Sequence, residues 1–312
     1  MEKAVAKLGM QSSAETTDEP DAFTPPAKPG TAATAAPRQS KPHPGVIAEA
    51  ASASRSLPFQ ADSNTAGSRK SSKKIELDLN RMRTFGILGP ESEHSFLAEE
   101  FRLIKRPILL KALEKGPNAI RNSNLIMVAS ARPGEGKTFT AISLAMSIAS
   151  EPDLTVLLVD ADVAKSNVPD IFGFDADKGL VDVISDDNVD LSDVLLQTQL
   201  DNLSILPAGR PHHLATEYLA LDRMARLVDD IADRYSDRII IFDSPPVLMS
   251  SVPSVLALHV GQTVFVIEAD HTPEAAIENA LSLVGSCKNI SLLLNKSRAI
   301  AGTDKFGAYY YR

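Results

Sequence analysis

Hydrophobic positions fall in short unbroken runs. Residues 125–128 (Leu-Ile-Met-Val), 154–159 (Leu-Thr-Val-Leu-Leu-Val), 238–242 (Arg-Ile-Ile-Ile-Phe) and 263–267 (Thr-Val-Phe-Val-Ile) lack the polar alternation of a half-exposed strand. Such runs predict strands buried on both faces, as in a parallel sheet. Shorter runs at 203–206 and 290–294 predict two more. Between the strands the period changes. Ile142, Ala145, Met146 and Ala149 step by three and four, and so do Leu214, Tyr218, Leu221, Ala225, Val228, Ala232 and Tyr235; both series predict amphipathic helices. Residues 273–284 predict a helix with Pro273 at its first turn, and 179–184 and 191–196 predict short helices around an acidic loop. Upstream, 75–89 reads as an extended lead-in. Pro90, Glu91 and Glu93 suit the start of a helix that carries Phe96, Leu97, Phe101, Ile104 and Leu109 and stops at Gly116-Pro117. Strands alternating with helices predict an α/β fold with a doubly wound, mostly parallel sheet.

Composition divides the chain. Residues 1–74 are rich in Ala, Pro, Ser, Thr and Lys, with Phe23 and Phe59 as their only aromatics, and predict a disordered region. Ten Lys/Arg against seven Asp/Glu give this stretch +3, so the rest carries −11 of the total −8. An acidic folded part argues against nucleic acid as a partner. The single cysteine, Cys287, allows no internal disulfide and fits a reducing compartment. No run approaches a membrane span and the N-terminus lacks a signal-peptide core, which predicts a soluble cytoplasmic protein. The resulting plan is a region 1–74, a domain 75–296 and a flexible tail 297–312.

Chemistry gathers at the ends of the predicted strands. The run 125–128 breaks into Ala131-Arg132-Pro133-Gly134-Glu135-Gly136-Lys137-Thr138-Phe139 and then a helix, the context a phosphate-binding loop requires. Backbone N–H groups and a helix N-terminus would hold phosphate oxygens, Lys137 would reach the β- and γ-phosphates, and the Thr138 hydroxyl would sit on Mg²⁺. Ala131 stands where a first glycine is usual, which requires a negative φ there. The strand 154–159 ends at Asp160-Ala161-Asp162, where ligands bind in open α/β sheets. The strand 238–242 ends at Asp243-Ser244-Pro245-Pro246, an apolar strand plus an acid that holds Mg²⁺ through water. Glu99, Arg102 and Lys105 lie at i, i+3 and i+6, close to one helix face. Three of the five tyrosines, Tyr309, Tyr310 and Tyr311, are consecutive in the tail, where exposure suggests presentation to an active site or a partner.

Together these motifs resemble the bacterial tyrosine kinases of polysaccharide synthesis and export, over residues 96–312. The phosphate loop resembles that family's Walker A, residues 157–162 its Walker A′, residues 240–246 its Walker B, and Tyr309–Tyr311 its tail cluster. The soluble autokinases of exosortase-associated polysaccharide loci are the nearest subgroup. The resemblance implies a P-loop fold of the ParA/MinD type, with ATP and Mg²⁺ as cofactors. It implies transfer of the γ-phosphate to tail tyrosines of a neighbouring subunit, in regulation of exopolysaccharide synthesis and export. Carried over, Lys137, Asp160 and Asp162 are catalytic, with Asp160 the base for the tyrosyl proton. Thr138, Asp162 and Asp243 support the metal. Residues 131–139 and Asn295 bind nucleotide. Glu99, Arg102 and Lys105 match a ring-assembly motif, although Lys105 replaces its last Arg and has Arg106 beside it; Ala164 also departs from a usual Arg. The implied partners are further copies of the chain and a separate membrane-anchored activator, similar to chain-length regulators, which would recruit it to the inner face of the membrane. The alternative is a ParA/MinD-type positioning ATPase; Arg132 stands where such proteins carry a signature Lys. A nucleotide-gated adaptor is a third reading that no residue favours.

Overall fold

The computed structural model describes residues 73–87, 89, 95–117, 119–210, 222–235 and 238–297. All of them fall within the unit Asn64–Arg312. The tail tyrosines and nearly all of the low-complexity region lie outside the described residues.

In chain order the elements are β1 (Lys73–Lys74), α1 (Leu79–Thr84), α2 (Phe96–Ala112), β2 (Leu125–Ser130), α3 (Lys137–Ala149), β3 (Val156–Asp160), α4 (Val168–Phe172), α5 (Leu180–Ser185), α6 (Leu191–Val194), β4 (Leu196–Gln197), β5 (Leu203–Leu206), α7 (Asp222–Arg234), β6 (Ile239–Asp243), α8 (Val252–Leu256), β7 (Gln262–Glu268), α9 (Glu274–Leu283) and β8 (Ile290–Asn295). The strands form one sheet in the order β1-β4-β5-β3-β6-β2-β7-β8. Each neighbouring pair is parallel except β4 with β5. The expected doubly wound, mostly parallel sheet is what forms.

The unbroken apolar runs follow from this order. β2, β3 and β6 sit at the middle and every residue in them is buried. Alternate side chains enter opposite layers: Leu125, Met127 and Ala129 pack with α7, α8 and α9, whereas Ile126 and Val128 pack with α2 and α3. The edge strand β8 differs, leaving Leu292 and Leu294 about 60% exposed.

Three boundaries depart from expectation. Lys73 and Lys74 are paired in register with Leu196 and Gln197, so the sheet includes the last two residues of the segment assigned to the disordered region. The lead-in 75–89 contains α1, capped by Asp78, whose side chain accepts from Arg81 N at 2.9 Å and whose helix buries Met82. α2 starts at Phe96, with Ser95 accepting from Ala98 N at 3.1 Å, later than Pro90 suggested.

One residue of α2 corrects the sequence reading. At 100° per residue, six positions carry Lys105 about 120° round the helix from Glu99. Lys105 therefore points inward, where Nζ donates to Ser147 O at 2.7 Å in the last turn of α3 and pairs with Glu151 at 2.6 Å. It is 7% exposed and belongs to an intrachain contact, so it cannot serve an outward assembly face. Glu99 and Arg102 do stay at the surface, paired at 2.7 Å, and Arg106 shares their face. Phe96, Leu103 and Leu110 recur there every seven residues and are 61–71% exposed. On the inner side of α2, Phe101 meets Phe139 of α3 edge-on, centroids 6.1 Å apart.

Candidate active site

The carboxyl ends of β2, β3 and β6 converge because these strands are neighbours running in one direction. In register, Asp160 lies opposite Asp243, and Val128 opposite Asp243 on the other side. The chain after β2 turns through residues 131–136 and enters α3 at Lys137. Gly134 and Gly136 have φ of 85° and 98°, values that suit glycine. Gly136 is further constrained, since a Cβ there would fall 2.1 Å from Asn295 Nδ2. Ala131 has no positive φ, so the missing first glycine costs nothing.

The loop and the strand ends enclose a cavity of about 370 Å³. Gly134, Gly136, Lys137 and Thr138 form its polar side, with Asp162 facing them and Phe139 beside them; Pro245, Pro246, Met249 and Val252 form an apolar side. Lys137 Nζ donates to Asp162 Oδ2 at 2.8 Å, with both side chains buried. Asp162 Oδ1 accepts from Lys165 N at 3.2 Å.

Behind the wall lie two further carboxylates. Asp160 Oδ1 accepts from Asp162 N at 3.2 Å and Oδ2 accepts from the Ser166 hydroxyl at 2.5 Å. Burial, with Asp243 alongside, pushes the Asp160 carboxyl up to about 8, although Ser166 favours the charged form. Burial also pushes Asp243 up to about 7, against the opposing pull of Lys137. The Thr138 hydroxyl lies near enough to favour the charged carboxylate, yet neither Asp243 oxygen has a hydrogen bond of normal geometry among the described residues. Asp162 and Asp243 thus share the Lys137 ammonium, with Asp160 behind them, and the two orphaned oxygens of Asp243 fit a divalent cation. Among the described residues no three acidic or imidazole side chains converge tightly enough to hold a metal alone. The donor set suits Mg²⁺, which keeps waters and takes a Ser/Thr hydroxyl and phosphate oxygens. Thr138, Asp162 and Asp243 are the residues that would hold it.

Of the residues expected to bind nucleotide, Pro133, Gly134, Gly136, Lys137, Thr138 and Phe139 line the cavity. Ala131, Arg132, Glu135 and Asn295 do not. Glu135 is turned inward and 3% exposed, and Asn295 Nδ2 donates to Glu135 O at 2.9 Å. Asp160 and Asp243 also stand back from the lining, while Asp162 faces it. The sequence reading missed Ser166 on Asp160 and Thr272 on Glu135, side chains that only the fold brings into contact.

Residues 123–299 match the family model of an AAA domain (AAA_31). The chain is 26% identical to the putative tyrosine-protein kinase CapB of Staphylococcus aureus over 219 residues, 70% of this chain and 90% of that protein. It is 28% identical to the tyrosine-protein kinase CpsD of Streptococcus agalactiae, covering 64% of this chain and 90% of the relative. Against the longer tyrosine-protein kinase wzc of Salmonella typhimurium it is 25% identical, over 61% of this chain and 26% of wzc. Among solved structures, the VpsO kinase domain matches at 26% identity with a TM-score of 0.53, over 65% of this chain and all of that one. The kinase domain of Escherichia coli tyrosine kinase ETK shares the fold, at 21% identity and a TM-score of 0.58, over 72% of this chain and 96% of that one.

Proposed function

This chain belongs to the AAA-domain family, and on that premise we propose that it is an ATP-dependent protein-tyrosine kinase acting on its own tail in polysaccharide synthesis and export. The carrying observation is the Lys137–Asp162 pair at the mouth of a glycine loop, backed by two buried acids. Phosphoryl transfer asks mainly for positioning and charge neutralisation, and this arrangement supplies both. The named relatives are tyrosine kinases, so the positioning-ATPase reading is not favoured.

In this reading Lys137 exchanges Asp162 for the β- and γ-phosphates. Mg²⁺, when bound, neutralises phosphate charge, held by Thr138, Asp162 and Asp243. Asp160 takes the tyrosyl proton, for which a carboxyl raised towards neutrality is suited. Asp162 faces the cavity and is the rival for that role. The phosphate acceptors are Tyr309, Tyr310 and Tyr311 of a second copy. Its docking surface is the exposed face of α2, where Glu99, Arg102 and Arg106 flank the Phe96, Leu103 and Leu110 stripe. Among the described residues no helix is long and apolar enough to cross a membrane. In this reading a separate membrane-anchored activator recruits the chain to the inner membrane face.

The test is incubation of the full chain with Mg·ATP, with and without candidate membrane partners, followed by phosphotyrosine detection. Wild type should become phosphorylated and Lys137→Met should lose at least a hundredfold, as expected where charge stabilisation contributes several kcal/mol. Wild-type labelling in the mutant would refute the active-site assignment.

A further inference from the structure

The loop that carries Lys137 is held from behind by side chains far away in sequence. Lys296 Nζ donates to Gly134 O at 2.7 Å, and Asn295 Nδ2 donates to Glu135 O at 2.9 Å. Lys296 is itself fixed by Glu268 at 3.2 Å and sits directly after β8 at φ 56°. The Glu135 carboxylate is a strut inside the loop. Oε2 accepts from Arg132 N at 2.7 Å, and Oε1 accepts from the Thr272 hydroxyl at 2.6 Å. Thr272 Oγ in turn accepts from Glu268 N at 3.1 Å. Glu268, Thr272, Asn295 and Lys296 thus form one bracket from the carboxyl ends of β7 and β8.

The bracket has a consequence for anion binding. A trans peptide is planar, with its C=O and N–H pointing in opposite directions. Pinning the carbonyl of Gly134 towards β8 therefore turns the N–H of Glu135 away from β8. Pinning the carbonyl of Glu135 does the same for the N–H of Gly136. Away from β8 is the cavity side, which Gly134, Gly136 and Lys137 line. A loop whose N–H groups are already aimed does not have to order itself when a phosphate arrives.

We propose that Thr272 and Lys296 are positioning residues that preset the phosphate-binding N–H groups of residues 135 and 136 through Glu135 and Gly134. Neither side chain lines the cavity; each acts through the loop. The inference rests on the nucleotide-site reading above and on no part of the tyrosine assignment. Phosphates are held alike before and during transfer, so a misaimed loop weakens binding more than it slows the bound complex.

The experiment measures the dissociation constant of a fluorescent Mg·ADP analogue and the KM and kcat for ATP, on the full chain. Thr272→Val, which keeps shape and removes the hydroxyl, should raise the dissociation constant and KM about tenfold, with kcat within about twofold. Thr272→Ser should restore wild-type values. Lys296→Met should weaken binding severalfold, and it tests the bracket at a half-exposed side chain should Thr272→Val fail to fold. Wild type that binds while Thr272→Val and Lys296→Met bind equally well overturns this inference alone, as does a Ser variant no better than Val. Wild type that binds no Mg·ADP overturns the nucleotide site and this inference together.

Discussion

Replacing Asp243 with Asn should stabilise the empty protein while weakening its hold on Mg·ATP. Asp243 is 1% exposed, and neither of its oxygens has a hydrogen bond of normal geometry among the described residues. Its carboxyl is raised from 3.8 to about 7, mainly by burial. A folded pKa above the unfolded one means that stability is fully present below about pH 4, falls as pH rises, and is lost once pH passes about 7. At full charge that shift corresponds to roughly 4 kcal/mol. The buried amide of Asn retains part of the desolvation cost, so the net gain is on the order of 1–2 kcal/mol, or about 3–6 °C in melting temperature for a domain of this size. The assay is thermal unfolding without nucleotide across pH 5 to 8. The gain should be largest at pH 8 and vanish or reverse at pH 5, where the wild-type carboxyl is protonated in the fold and about 2–3 kcal/mol of its penalty is gone. The stabilisation that Mg·ADP gives wild type should largely disappear in the variant. A destabilised variant at pH 8, or a gain independent of pH, would refute the view that Asp243 is a buried charge awaiting a cation.

Three other outcomes follow from the geometry. Lys105→Met should cost about 1–2 kcal/mol by removing the ion pair to Glu151 and one of two donors to Ser147 O, which keeps the Ser150 hydroxyl, and leave self-association unchanged by light scattering, whereas Arg102→Glu with Arg106→Glu should alter self-association with little effect on melting. Asp160→Asn should lower kcat at least tenfold with the ATP KM nearly unchanged; if Asp162→Asn alone behaves this way, the base is Asp162. Removing Tyr309, Tyr310 and Tyr311 should eliminate most autophosphorylation and spare Mg·ADP binding, and mass spectrometry that places the main phosphate on Tyr235 would overturn the tail as substrate.

What could be read in advance depended on how local the cause was. The central strands announced themselves because burial on both faces leaves no room for polar alternation, and the acids at their ends could be placed by counting. Two-residue strands carry no such signature: β1 and β4 exist through their register with neighbours and through Ile75 N donating to Gln197 O at 2.8 Å. Lys105 departs from its expected place because two steps of three accumulate to about 120° round the helix, and the α3 C-terminus that claims it is remote in sequence. Glu135 shows the same limit within the site. A loop glutamate beside glycines reads as a ligand contact; it faces inward because its carboxylate takes both the local Arg132 N and the hydroxyl of Thr272, 137 residues later.

The Lys137–Asp162 contact is a built-in competitor for any ligand of either residue. Lys137 is already paired, so an incoming anion must displace a carboxylate seated at 2.8 Å. A lone monoanion gains little from that exchange. A cation that claims Asp162 sets the lysine free, and a phosphate that claims Lys137 sets the aspartate free. Each ligand thereby removes the other's rival. By thermodynamic reciprocity the two must strengthen each other's binding by the same factor. On the nucleotide-site reading proposed above, the metal–polyphosphate pair binds better as a unit than either half does alone, because either half alone must break the Lys137–Asp162 contact.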